Sequence, residues 1–223
     1  GVGNVPSIID ESADLKDASH KIMTSKTFDN ATSCSSENSL VIHEGVYDSM
    51  VDCLTNEGGS LLSDNEKLKL QGVMWNKKGV INRDVIAKTA AEIAKLAGLS
   101  NKHQDSKFLM VEDKEIGPDF PFSMEKLSPV LTVYKAKDFE HAITVATEIL
   151  DNQGKGHSCG VHSQNEANIL KLGMKLPVCR IIVNQAHCFA TGGNFDNGLP
   201  FSLSMGCGTW GNNVTGENLN YKH

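Results

Sequence analysis

The chain has 223 residues and a formal net charge of −6, which is length enough for one substantial core and a balance that argues against nucleic acid as a partner, since that role asks for a basic face. No stretch approaches the roughly 20 apolar residues of a membrane span, and the amino terminus lacks the basic and apolar regions of a signal peptide, so no membrane partner and a cytoplasmic location are expected. Six cysteines with no Cys-x-x-Cys pair read as reduced thiols, and eight histidines without zinc-type spacing predict no metal.

In chain order, apolar runs alternate with helical periods. Val5 to Asp10 reads as a strand, Leu15 to Phe28 as a helix, and Ser39 to His43 as a second strand carried by Leu40-Val41-Ile42. Ser63 with Glu66 three residues on has the spacing of a capping box and opens another helix. A helix is predicted from Asp84 to Ala97, with Ile86, Ala90, Ile93 and Ala97 on one face, Asn82 as its cap and Gly98 as its stop. Phe108 to Glu112 and Val130 to Tyr134 are strands. Phe139 to Leu150 is a helix, with Phe139, Ala142, Ile143, Ala146 and Ile149 as its buried stripe, and Ser158 to His162 and Arg180 to Asn184 are strands. This alternation predicts an α/β fold, a mostly parallel sheet flanked by helices.

From Gly192 the texture changes, with seven glycines and six asparagines in the last 32 residues. Little apolar surface is left there to offset the entropy of ordering the segment. Residues 1–191 are therefore read as the compact catalytic domain, and 192–223 as an irregular Gly/Asn-rich C-terminal arm seeking a partner. The chain opens on Gly1 without a methionine and reads as part of a longer protein.

Cys34, in Ser33-Cys34-Ser35-Ser36-Glu37-Asn38, sits between the first helix and the second strand. A cysteine on such a junction meets substrate in a cleft, and local backbone N–H groups are expected to favour its thiolate, the nucleophilic form. The competing reading is a buried cysteine acting as a small hydrophobe.

The words around Cys34 resolve that choice. Lys26-Thr27-Phe28-Asp29-Asn30-Ala31-Thr32-Ser33-Cys34-Ser35-Ser36-Glu37-Asn38 resembles the nucleophile segment of CoA-acylating aldehyde dehydrogenases. Gly1-Val2-Gly3-Asn4-Val5-Pro6, Ala90 to Gly98, Glu125 to Leu131, Gly156-His157-Ser158, Arg180 to Asn184 and Ser204 to Gly211 follow in that family's order, over nearly the whole chain. The resemblance implies that Cys34 attacks an aldehyde, that hydride passes to NAD or NADP, and that coenzyme A takes the acyl group from a Cys34 thioester. It implies a homo-oligomer as the full-length enzyme.

The same resemblance gives Glu125 to the nicotinamide ribose hydroxyls, a job that suits a carboxylate because it accepts two hydrogen bonds from a diol. Leu127 is placed near the ring. His157, in a glycine-rich turn, is weighed as a proton shuttle for the CoA thiol against a histidine that only caps the turn. Gly1-Val2-Gly3 and Gly192-Gly193 lack the pattern of a dinucleotide phosphate loop, so the dinucleotide-binding domain is expected outside this chain.

The loop after Val183 carries the expectation for substrate. His187, if partly protonated, with Asn184, Gln185 and Thr191, is expected to hold the sulfonate or carboxylate of a short aldehyde through charge-assisted hydrogen bonds; the competing reading is a His187 that only caps the strand end and a plain acetaldehyde substrate. Two rivals stand beside this reading. One is a hydrolytic aldehyde dehydrogenase releasing a carboxylate; the other is a non-catalytic assembly module, motivated by the arm.

Overall fold

The computed structural model describes residues 2–223, so Gly1 of the opening motif lies outside the described residues. Seven strands form one wholly parallel sheet: β1 (Val5–Ile9), β2 (Glu37–His43), β3 (Gly59–Leu61), β4 (Phe108–Glu112), β5 (Val130–Ala136), β6 (Cys159–His162) and β7 (Ile181–Val183). Their order across the sheet is β3-β4-β5-β2-β1-β6-β7. The fold class is therefore the one expected. Parallel strands need crossovers, and seven helices supply or flank them: α1 (Leu15–Thr27), α2 (Tyr47–Asn56), α3 (Asp64–Met74), α4 (Ala90–Leu96), α5 (Phe139–Asn152), α6 (Glu166–Lys175) and α7 (His187–Ala190).

Both faces of the sheet are covered, which is why β1, β2 and β5 read as nearly continuous apolar runs. On one face, Ile8, Val41 and Tyr134 meet Ile143, Ala146 and Ile149 of α5. On the other, Ile9, Leu40, Ile42 and Val133 meet Ile22 of α1 and Met50 and Leu54 of α2. Ile22, Met50 and Leu54 are fully buried, and truncating any one to alanine would cost about 2–5 kcal/mol. Among the described residues no helix is long and apolar enough to cross a membrane.

The capping box expected at Ser63 is present at the start of α3. The long helix expected from Asp84 to Ala97 is not. A short 3-10 turn at Arg83–Val85, capped by Asn82, is cut off from α4 by Ala87, whose φ is +60°. Tertiary hydrogen bonds account for the break: Ala87 N–H donates to the Leu127 carbonyl at 3.2 Å, and Asn30 Nδ2 donates to the Ala87 carbonyl at 3.0 Å. Helix α4 starts at Thr89 instead, with its own capping box to Glu92.

Residues 192–223 contain one 3-10 turn at Thr209–Gly211 and fold back over the amino end of β6. Cys207 and Asn218 are buried there. The same segment leaves Phe195, Leu203, Val214 and Tyr221 exposed.

Candidate active site

The chemistry-bearing loops gather at the amino ends of the central strands. Cys34 precedes β2, Gly3 precedes β1, Glu125 and Leu127 precede β5, and His157 precedes β6. Gly3 is needed for this closeness, because a Cβ there would lie 2.0 Å from the Cys34 carbonyl oxygen. Gly3 N–H in turn donates to Glu125 Oε1 at 3.0 Å. The nucleophile loop, the first strand and the Glu125 carboxylate are thereby tied together.

Backbone strain concentrates on the same patch. Of seven non-glycine residues with positive φ, five are Asp29, Asn30, Ala31, Ala87 and Leu127, and such residues persist only where surrounding contacts over-determine them. Those contacts are the hydrogen bonds from Asn30 to Ala87 and from Ala87 to Leu127 described above.

Cys34 is partly buried, and its thiol is pushed above its ordinary pKa by that burial and by the Glu125 carboxylate. The expectation that local N–H groups favour the thiolate is not met in this arrangement. His157 shares the cleft of Cys34.

That cleft, of about 430 Å³, is lined by Cys34, His157 and the arm residues Met205, Gly206, Cys207 and Leu219, among others. His157 Nδ1 is engaged by Ser158 Oγ at 2.7 Å, leaving Nε2 as the unbonded ring nitrogen among the described residues. Burial, with His187 and the Arg180 guanidinium nearby, lowers its pKa to about 3, so the imidazole is neutral at pH 7 and able to accept a proton. The glycine-rich turn does allow a close backbone approach, but to the arm. A Cβ on Gly156, where φ is +88°, would sit 2.1 Å from the Cys207 carbonyl oxygen.

Glu125 is partly buried, which raises its pKa. One oxygen is taken by Gly3, and the other remains for a diol hydroxyl, so the group fits the ribose role. Leu127 is partly exposed beside it.

His187 and Thr191 do not join this group. Both are fully buried. His187 Nδ1 donates to the Ser35 carbonyl at 2.8 Å, and burial lowers its pKa to about 4, so the partly protonated state expected from the sequence is corrected to a neutral imidazole. Thr191 Oγ1 donates to the His187 carbonyl at 3.1 Å. Asn184 uses both side-chain atoms on the Ser163 backbone, and Gln185 is bonded to Asp196 and Asn197. Burial and committed bonds, not distance, keep them out: the chain leaves the carboxyl end of β7 at Asn184 and returns to the nucleophile loop, where His187 is spent on Ser35 and Cys188 N–H donates to Ser25 Oγ at 2.8 Å.

Sequence reasoning missed three buried charged residues that brace the nucleophile loop. Lys26 Nζ donates to the Glu37 carbonyl at 2.7 Å, and Glu37 accepts from Ser25 Oγ at 2.5 Å. Lys126 Nζ donates to the carbonyls of Asn38 and Met124, each at 3.0 Å. Burial lowers both lysine pKa values and raises that of Glu37. A signal existed for Lys26, which falls on the buried stripe Ala18, Ile22, Lys26 of α1. Lys126 lies in a turn and has no such period.

The model of the aldehyde dehydrogenase family matches residues 2–199. The whole chain aligns at 54% identity with an acylating sulfoacetaldehyde dehydrogenase of Cupriavidus necator, covering 45% of that protein. It aligns at 37% identity with the bifunctional aldehyde-alcohol dehydrogenase of Escherichia coli, covering 25% of it. Among solved structures, an acetylating aldehyde dehydrogenase from Geobacillus thermoglucosidasius superposes with a TM-score of 0.94 at 37% identity, over 98% of this chain and 48% of that one. The chain thus spans half or less of the length of the relatives it matches.

Proposed function

The chain belongs to the aldehyde dehydrogenase family, and from that premise we propose that the protein carrying it oxidises a short aldehyde to its acyl-CoA through a Cys34 thioester. The observation that carries this reading is the shared cleft, in which a candidate nucleophile and a neutral imidazole stand together. The acylating sulfoacetaldehyde relative favours CoA over water as the acyl acceptor and an aldehyde with an anionic substituent as substrate.

In this mechanism partly exposed Cys34 gives its thiol proton to solvent, and Sγ then bonds to the aldehyde carbon while the carbonyl electrons move to oxygen. The Cys34 N–H has no acceptor among the described residues and is free to donate to that oxyanion. Glu125 would hold the ribose hydroxyls of a nicotinamide cofactor and Leu127 would pack beside it, so that the group would supply the hydride acceptor there, while His187, through Ser35, keeps the nucleophile loop in place. His157 Nε2 then takes the proton of the CoA thiol, whose sulfur bonds to the acyl carbon as the bond to Cys34 Sγ breaks. One thioester replaces another, so acyl-transfer potential is conserved.

The test uses the full-length protein with sulfoacetaldehyde, succinic semialdehyde and acetaldehyde in turn. Acyl-CoA and reduced cofactor should form in equal amounts, with the highest kcat/KM for an anionic aldehyde, and Cys34→Ala should abolish both products. Steady release of free carboxylic acid without CoA would overturn the acylating reading. Retained CoA-dependent turnover in Cys34→Ala would overturn the nucleophile.

A further inference from the structure

Arg180 is buried and takes no part in the chemistry above. Its Nε donates to Asn218 Oδ1 at 2.7 Å, Nη1 to the carbonyls of Gly206 at 2.9 Å and His157 at 3.3 Å, and Nη2 to the Gly216 carbonyl at 3.3 Å. All four acceptors are neutral. A buried guanidinium without a carboxylate partner is costly, and a single amide or hydroxyl could serve only some of these acceptors. A planar fork with five N–H donors reaches all four at once. The residue is therefore a joint between three separated pieces of backbone.

The pieces it joins are those of the cleft wall. His157 and Gly206 both line the opening in front of Cys34, and Asn218 extends the joint by donating to the carbonyls of Thr191 and Pro200. The nucleophile loop is braced separately, by His187 on Ser35, Lys26 on Glu37 and Lys126 on Asn38. Loss of the joint thus leaves the supports of Cys34 intact while freeing His157 and the arm.

We propose that Arg180 is the positioning residue for the thiol-exchange half of the reaction, clamping His157 and the Gly206–Cys207 wall into one unit that the entering thiol meets. The inference rests on the acyl-CoA reading. It assigns to residues 192–223 a part in the second half-reaction and none in the first.

Pre-steady-state kinetics of the full-length protein separate the two halves. Without CoA, the burst of reduced cofactor reports acylation of Cys34; with CoA, steady turnover reports exchange. Arg180→Gln should keep the burst within about twofold of wild type and lose roughly a hundredfold in CoA-dependent turnover, the scale of an ångström-sized misplacement. Arg180→Lys should recover part of the loss, and Asn218→Ala, which opens the joint from the arm side, should show the same split even if the Arg180 variants do not fold. Equal loss of burst and turnover, or no loss of either, overturns the inference. A wild-type protein that shows no CoA-dependent turnover instead refutes the acyl-CoA reading, and the inference falls with it.

Discussion

Adding one methyl group at Gly156 tests the attachment of the arm directly. With φ at +88°, an alanine there would hold a left-handed backbone, at a cost of about 1–2 kcal/mol. Its Cβ would also stand 2.1 Å from the Cys207 carbonyl oxygen and 2.8 Å from Gly211 N, so the arm's backbone must retreat by about 1 Å to restore van der Waals separation. Overpacking of this kind adds about 1–3 kcal/mol, and the reduced freedom of the unfolded chain returns only about 0.4–1 kcal/mol. A net loss of about 1–5 kcal/mol concentrated on one contact is expected to detach the segment locally. Cys207, 2% exposed in the intact fold, should then become open to iodoacetamide, read by mass spectrometry alongside the denaturant midpoint. Gly72→Ala and Gly173→Ala serve as controls, since nothing lies within 4 Å of the added methyl in either helix, and each should stabilise by about 0.5–1 kcal/mol. A Gly156→Ala protein with an unchanged midpoint and a protected Cys207 would refute the close contact on which the argument rests.

Glu125→Gln removes the carboxylate that helps to raise the Cys34 pKa, so the pH midpoint for alkylation of Cys34 should move down; an unmoved midpoint would deny the electrostatic coupling. Thr89→Ala removes the capping box with Glu92 and should cost about 1 kcal/mol, seen as a fall in Tm of a few degrees; an unchanged Tm would count against that cap. Burial lowers the pKa values of His157, His162 and His187 to about 3, 4 and 4, below the unfolded value near 6.5, so the unfolded chain binds more protons and stability is lost as the pH falls below about 6.5. At pH 5.5 each histidine costs about 1.4 kcal/mol, while Glu37, whose pKa burial raises, binds its proton first in the folded state and offsets part of that loss. Between pH 7.5 and 5.5, His162→Gln should therefore lose about 1.4 kcal/mol less than wild type in denaturant titrations, and parallel pH dependences would contradict the assignment.

Most of the sheet was legible because its inner strands are buried on both faces and carry unbroken runs such as Leu40-Val41-Ile42. Strand β3 was not, since Gly59-Ser60-Leu61 has no β-rich run and becomes a strand only through its pairing with β4. The helical period through Ile86 and Ala87 was a true local preference that tertiary hydrogen bonds to Asn30 and Leu127 overrode. Cys34 and His157 were singled out through the words around them, and the structure brings them to one cleft. The general rule places ligands of open parallel sheets at the carboxyl ends of strands, whereas Cys34, Glu125 and His157 stand at the amino ends. The loop after Val183 does return to that amino edge, but its His187 is buried and bonded to Ser35, and no local pattern in the sequence announces that burial.

The three buried basic residues give that amino-terminal edge its character. Lys26 and Lys126 spend their donors on backbone carbonyls, and Arg180 does the same apart from Nε, which donates to Asn218 Oδ1. Burial lowers the pKa of all three, but a guanidinium with a reference pKa above 12 keeps its proton where a buried ammonium is readily lost. Arg180 is thus the durable positive charge of the group, and it lies behind the wall formed by His157 and Gly206 of a cleft in which a thiolate, an oxyanion and an anionic aldehyde would each bring negative charge. The same charge helps to hold His157 and His187 neutral. A protonated His157 could not take the proton of an entering thiol; Arg180 helps to keep it unprotonated, and in doing so makes it a weaker base.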